Sequence, residues 1–114
     1  MKDIFHPVQS NNFMFFSDLF EKRIFYFETN LFYEEHVPNV AFLLLEGVIT
    51  LGKKKRVLKY IEGKSFIGLK NLYQKKPVKF FASIKPNSTV LIIDRSTLFK
   101  IVNKKKELYN FLCH

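Results

Sequence analysis

The sequence predicts a mainly β fold: a jelly-roll-like double-stranded β-helix, or β-roll, capped by short α-helices. Three observations carry this. Short runs of aromatic and β-branched residues recur at regular spacing between turn signals, the pattern of a sandwich or barrel. Phenylalanine is unusually frequent, at 14 of 114 residues, and such side chains favour strands over helices. Apolar residues at helical spacing occur mainly near the two ends of the chain. The length suits one domain with a real core.

Residues 1–12 are rich in polar and turn-forming types and read as an N-terminal arm. Phe13, Phe16, Leu19 and Phe20 then fall at helical spacing, with Asn11 or Asn12 as cap, predicting a short helix that packs one end of the roll. Strands follow over Arg23–Phe27 and Leu31–Tyr33, with a turn at 28–30 and a loop over 34–39. Ala41–Leu45 is a continuous apolar run and reads as a strand buried on both faces. Gly47 separates it from Val48–Leu51, and Gly52–Lys55 is a basic hairpin turn before Arg56–Tyr60. Beyond Gly63 come the strand Ser65–Ile67, one helical turn over Leu69–Leu72, a basic loop at 74–77, and the strand Lys79–Ile84. The turn at 85–88 leads to Thr89–Asp94, after which Asp94 or Ser96 caps a helix bearing Leu98, Ile101 and Val102. A last helical piece from Lys105 to His114 sets Leu108, Phe111 and Leu112 on one side. The roll is thus expected over 13–103, and the start of a C-terminal helix over 104–114.

Composition narrows the function. The longest uncharged apolar run, Val37–Leu45, is too short to span a bilayer, and the first residues lack the apolar core of a signal peptide, so no membrane role is expected. A single cysteine, Cys113, excludes an internal disulfide and suits a reducing cytoplasm. His6, His36 and His114 are isolated and form no metal set. Neighbouring side chains diverge, so neither Cys113 with His114 nor Glu34 with Glu35 makes a catalytic pair, and no nucleotide or hydrolase glycine motif occurs. The sequence therefore does not read as an enzyme. Its net charge of +9 is gathered at Lys53–Arg56, Lys75–Lys79 and Lys104–Lys106, clusters that read first as solvated loop tips and second as a surface for an acidic partner or nucleic acid.

One stretch has the makings of a binding site. A glycine followed by a helix start, as at Gly68–Leu72, leaves unpaired N–H groups pointing one way, and Lys75, Lys76 and Lys79 return towards it. Taken from Tyr60 to Ile84, this stretch resembles the phosphate-binding cassette of the cyclic nucleotide-binding domain found in catabolite-activator-type (Crp/Fnr) regulators. Gly47 in LEGVITL, Gly63 in IEGKSF and Gly68 in FIG match glycines of that family, and STVLIIDRSTLFKIV is similar to its last strand and following helix. The resemblance runs from about Phe20 to the C-terminus. It implies a regulatory, non-catalytic module whose ligand, a cyclic nucleotide (cAMP or cGMP) or another phosphate-bearing anion, would meet Phe66, Ile67, Gly68, Leu69, Lys70, Lys79, Phe80 and Phe81.

The departures from the family are as informative. Where it places a glutamate for the ribose hydroxyl, directly after the cassette glycine, this chain has Leu69; where it places a phosphate-binding arginine, the nearest cation is Lys79. Lysine supplies charge but not a planar fork. Two such losses, on the order of 1–3 kcal/mol each, lower affinity by roughly two to four decades. Altered or lost cyclic nucleotide affinity is the expectation. The helix-turn-helix domain of the family's transcription regulators has no counterpart after Lys105, so sequence-specific DNA binding by this chain alone is not expected. The alternative is a protein-interaction or oligomerisation domain without a small-molecule ligand, forming a homodimer or holding a protein partner through the C-terminal helix.

Overall fold

A computed structural model describes residues 4–7 and 18–113. The expected cap at Asn11 or Asn12, Phe13 and Phe16 of the first helix, most of the arm expected over 1–12, and His114 lie outside the described residues, as do the side chains of His6, Leu108, Phe111 and Cys113. In chain order the elements are β1 (Phe5–Pro7), β2 (Glu21–Phe25), β3 (Thr29–Phe32), β4 (Val40–Glu46), β5 (Val48–Lys53), β6 (Arg56–Glu62), β7 (Ser65–Ile67), α1 (Leu69–Gln74), β8 (Phe81–Ile84), β9 (Ser88–Asp94), α2 (Arg95–Lys104) and α3 (Lys106–Cys113). The strands form two antiparallel sheets, ordered β1-β7-β4-β9-β2 and β3-β8-β5-β6. This is the mainly β roll with short helices that the strand spacing predicts.

Strand alternation divides the core into two layers. On β4, β7 and β9, Ala41, Leu43, Phe66, Leu91 and Ile93 face the helices, where they meet Leu69, Leu72, Leu98, Ile101, Val102 and Leu112. The intervening Phe42, Leu44, Ile67 and Val90 face the second sheet and pack on Phe32, Ile49, Leu51, Ile61, Ala82 and Ile84. The run at 41–45 is continuous because β4 is covered on both sides. Each such valine, leucine, isoleucine or phenylalanine, fully buried, contributes about 1.5–3 kcal/mol.

The helices are anchored at their ends. Asp94 caps α2, its carboxylate accepting from the Thr97 amide (2.9 Å) and from the Ser96 and Thr97 hydroxyls (2.8 Å each). Burial alone would push this carboxyl up, but those hydrogen bonds outweigh it and hold the group below its ordinary value. Gln74 of α1 donates to the Leu112 carbonyl of α3 at 2.6 Å.

Several boundaries differ from the sequence reading. Phe5–Pro7, expected in the arm, is a strand paired with β7. Leu19, expected in a packed stripe, is exposed, whereas Phe20 is buried. The second strand ends at Phe25, where its carbonyl accepts from the Asn87 amide and pairing with β9 stops at Ser88, leaving Tyr26 and Phe27 in the turn. The eighth strand begins at Phe81 rather than Lys79, because Val78 is bonded to the 33–38 loop instead: its N–H donates to the His36 carbonyl and its carbonyl accepts from the Glu35 amide. Gly52 lies inside β5 rather than in the turn, paired with Val57 of β6 and Phe81 of β8, and a Cβ there would stand 2.2 Å from the Phe81 ring.

Candidate functional site

The cassette is built as β7, Gly68, α1, the 75–80 loop and β8. Gly68 caps α1 at φ 76°, a left-handed conformation that favours glycine. Its second demand is steric: a Cβ on Gly68 would lie 2.7 Å from Cζ of Phe32. The glycine therefore makes room for an aromatic ring of β3. Its N–H, the donor that a bound anion would need, donates to the Ile4 carbonyl at 2.6 Å, and its own carbonyl accepts from Leu72.

The expected site residues do not converge on one surface. Phe66 and Leu69 point to the helix-side layer, with 2% and 0% exposure, and Leu69 is spent on packing. Ile67 points the other way, into the roll, at 0%. Lys70 is half-buried on α1, and Lys79 is exposed beyond buried Val78. Phe80 packs against the edge of the roll's core, with the Lys53 ammonium 5.7 Å from its ring, and Phe81 covers Gly52. Lys75 ends α1 in a left-handed turn, and it and Lys76 are exposed. Asn71 ties the loop to the helix by donating to the Pro77 carbonyl at 3.1 Å. Its Oδ1 is buried without a partner, and as an acceptor it suits no anion.

Four residues shape this region that sequence reasoning passed over. Ile4 is 3% exposed, with its side chain in the roll's core and its carbonyl on Gly68. Phe32 stacks edge-on against Phe42, ring centroids 5.5 Å apart, and presses on Gly68. Val78, 0% exposed, packs into the roll's core one position before Lys79. Arg95 carries the guanidinium fork nearest α1, yet it donates to the carbonyls of Leu72 and Pro38 and so acts as a clamp. Only Arg95 left a readable signal, as a charge directly after a helix cap.

Among the described residues no group of His, Cys, Asp and Glu could hold a metal, and no helix is long and apolar enough to cross a membrane. No protein-family model matches the chain, and neither does any curated protein. Solved structures do match. The chain is similar to a protein of a cyclic-GMP-dependent signalling pathway that regulates bacterial phytopathogenesis, at 18% identity over 95% of this chain and 90% of that one, with a TM-score of 0.79. It is similar to a putative cyclic nucleotide-binding protein from Geobacter metallireducens, at 17% identity over 93% and 80%, TM-score 0.68. It also matches the catabolite activator protein of Thermus thermophilus, at 14% identity over 87% of this chain, TM-score 0.70, but spans only 49% of that protein. At these identities the likeness is one of fold. The chain folds as a cyclic nucleotide-binding-type β-roll, as the glycine pattern implies.

Proposed function

We propose that this chain is a non-catalytic regulatory module on the cyclic nucleotide-binding fold, in which its own N-terminal strand replaces an anionic ligand at the cassette. The observation that carries this reading is the bond from the Gly68 N–H to the Ile4 carbonyl. A carbonyl oxygen there supplies the acceptor that a phosphate would supply, without a ligand. Leu69, buried and apolar, offers no acceptor for a ribose, and exposed Lys79 offers no fork. Cyclic AMP and cyclic GMP affinity is accordingly lost or much reduced. Output runs from α1 to the C-terminal helix through the Gln74–Leu112 bond, so any change at the cassette reaches α3 directly.

The test is thermal unfolding of the full chain with cyclic AMP, cyclic GMP and inorganic phosphate. A ligand at about a hundred times its Kd adds about 2.7 kcal/mol to the folded state, roughly 10 °C for a domain of this size. No dose-dependent rise is expected. A clear rise with either nucleotide overturns the reading and makes the module a conventional sensor.

A protein-interaction role is the second reading, favoured by the turn between β2 and β3, where Tyr26 and Phe27 are 63% and 81% exposed. The C-terminal helix is a poorer candidate for self-pairing than its sequence suggests, because Leu112 is buried in the chain's own core. Light scattering that gives a monomer mass at high concentration would count against a homodimer.

A further inference from the structure

The two sheets leave an opening away from the cassette, between β2 and β3. A groove of about 420 Å³ lies there, close to the lower end of the usual range for ligand pockets. Its floor is apolar: Phe25, Leu31, Val40, Phe42 and Ile92. Ile49, Leu51 and Ile84, which also lie between the sheets, are at 0% exposure, whereas Phe25, Leu31, Val40 and Ile92 remain half-buried around the groove. The rim is polar, formed by Glu21 and Arg23 of β2 and by Thr29 and Asn30 of β3. Arg23 is ion-paired with Glu21, two positions away on the same face of an edge strand, and both side chains are more than half exposed. Such a pair contributes little to stability and is easily exchanged.

From this geometry we infer that the groove binds a small monocarboxylate with an aromatic or aliphatic body. The body would lie on Phe25 and Phe42, and the carboxylate would take the Arg23 fork in place of Glu21. A guanidinium prefers two parallel bonds to a carboxylate, and it gains most when one side of the contact is shielded from water, as the apolar floor would shield it. The chain's net charge of +9 favours an anion at its surface. Glu21 sets the charge limit: its carboxylate at the same rim penalises a dianion such as a phosphate monoester. The site does not depend on the cassette, although Phe42 of its floor touches Phe32, and Phe32 touches Gly68.

Isothermal titration of the full chain with naphthoate and octanoate, against the matching amides, tests this. Both acids should bind, and the amides about ten- to a hundredfold more weakly, the worth of a charge-assisted contact. Arg23→Gln should weaken the acids by the same factor. Glu21→Gln should tighten them, because it removes the competing carboxylate; a merely structural role for the pair predicts no gain. Val40→Phe, which fills the groove, should abolish binding while the thermal midpoint holds. Absence of binding by either acid, or binding that survives Arg23→Gln and Val40→Phe unchanged, would overturn the assignment.

Discussion

The two sheets of this roll face each other across two seams, and the chain treats them oppositely. On one side the edges are β7 and β6. There β1 adds to β7, drops Ile4 into the core, hands its carbonyl to Gly68, and sets Phe5 under the Lys59 ammonium of β6 at 4.8 Å. On the other side the edges are β2 and β3, with nothing comparable among the described residues, and an apolar groove opens. Both seams expose the same kind of interior. What separates them is whether a third strand supplies a side chain to fill it. The edges of a fold of this type thus matter as much as its motifs: among the described residues, the seam bearing the recognisable glycine carries an added strand, and the seam without a motif holds the groove.

The largest effect should come at Gly68, which is bonded to Ile4 and packed on Phe32 of β3. Gly68→Ala combines left-handed strain, about 1–2 kcal/mol, with a methyl forced against the Phe32 ring, about 1–3 kcal/mol more. Denaturant unfolding should show a loss of roughly 2–5 kcal/mol. Adding Phe32→Leu should relieve the clash but not the strain, so the double variant should be more stable than the two single losses predict by about 1 kcal/mol. Strict additivity would mean that the ring yields freely.

Next is Ile4→Ala. Emptying this buried site should cost about 2 kcal/mol, the low end for such a truncation, because a three-residue strand can detach instead of leaving a cavity. Exchange of the Gly68 amide should quicken far more than that of Leu91 in the centre of the first sheet. Equal protection of both amides would show that β1 is not what closes the seam.

Asp94→Ala is a control that should leave both seams alike. Loss of the cap costs about 1 kcal/mol at neutral pH. The Asp94 carboxyl lies below its ordinary value when folded, so its contribution is complete above the unfolded pKa and disappears as pH falls through the folded one. The midpoint difference between the wild-type protein and the variant should therefore shrink below about pH 4. The smallest effect belongs to Lys59→Met. Removing the charge over Phe5 should cost about 0.5–1 kcal/mol, falling to nothing if that contact is only a solvated lysine at rest.

Much of the architecture was legible because it rests on local rules. The apolar runs at 41–45 and 89–94 gave β4 and β9, and of the two caps the sequence offered, Asp94 or Ser96, Asp94 is the one that caps α2. β1 was not legible, since a three-residue strand leaves no periodicity and its pairing partner lies some sixty positions away. The candidate site was legible as a backbone shape only. Phe66, Ile67 and Leu69 are consecutive enough to suggest one surface, but strand alternation and the turn at Gly68 send them into different layers. Gly68 was expected at a turn from strand to helix, where it stands, but the ring it accommodates comes from residue 32 and left no local signal. Arg23 gave no signal, being one charge in a basic chain, and only the fold sets it above an apolar floor.

The pairing of Ile4 with Gly68 also orders events in time. β1 is made first, yet the strand it needs and the amide it caps are more than sixty residues behind it on the ribosome. The same holds for β2, which must wait for β9, whereas β5 and β6 can zip together as a hairpin as soon as they emerge. Long-range pairing of this sort slows folding, and the nascent chain carries an apolar N-terminal segment that remains unsatisfied until most of the domain exists. During that interval Ile4 and Phe5 are an unpaired strand-forming segment, open to a chaperone or to the β7 edge of another copy. Refolding in which the second sheet gains protection well before the Gly68 amide does would be the kinetic trace of that delay.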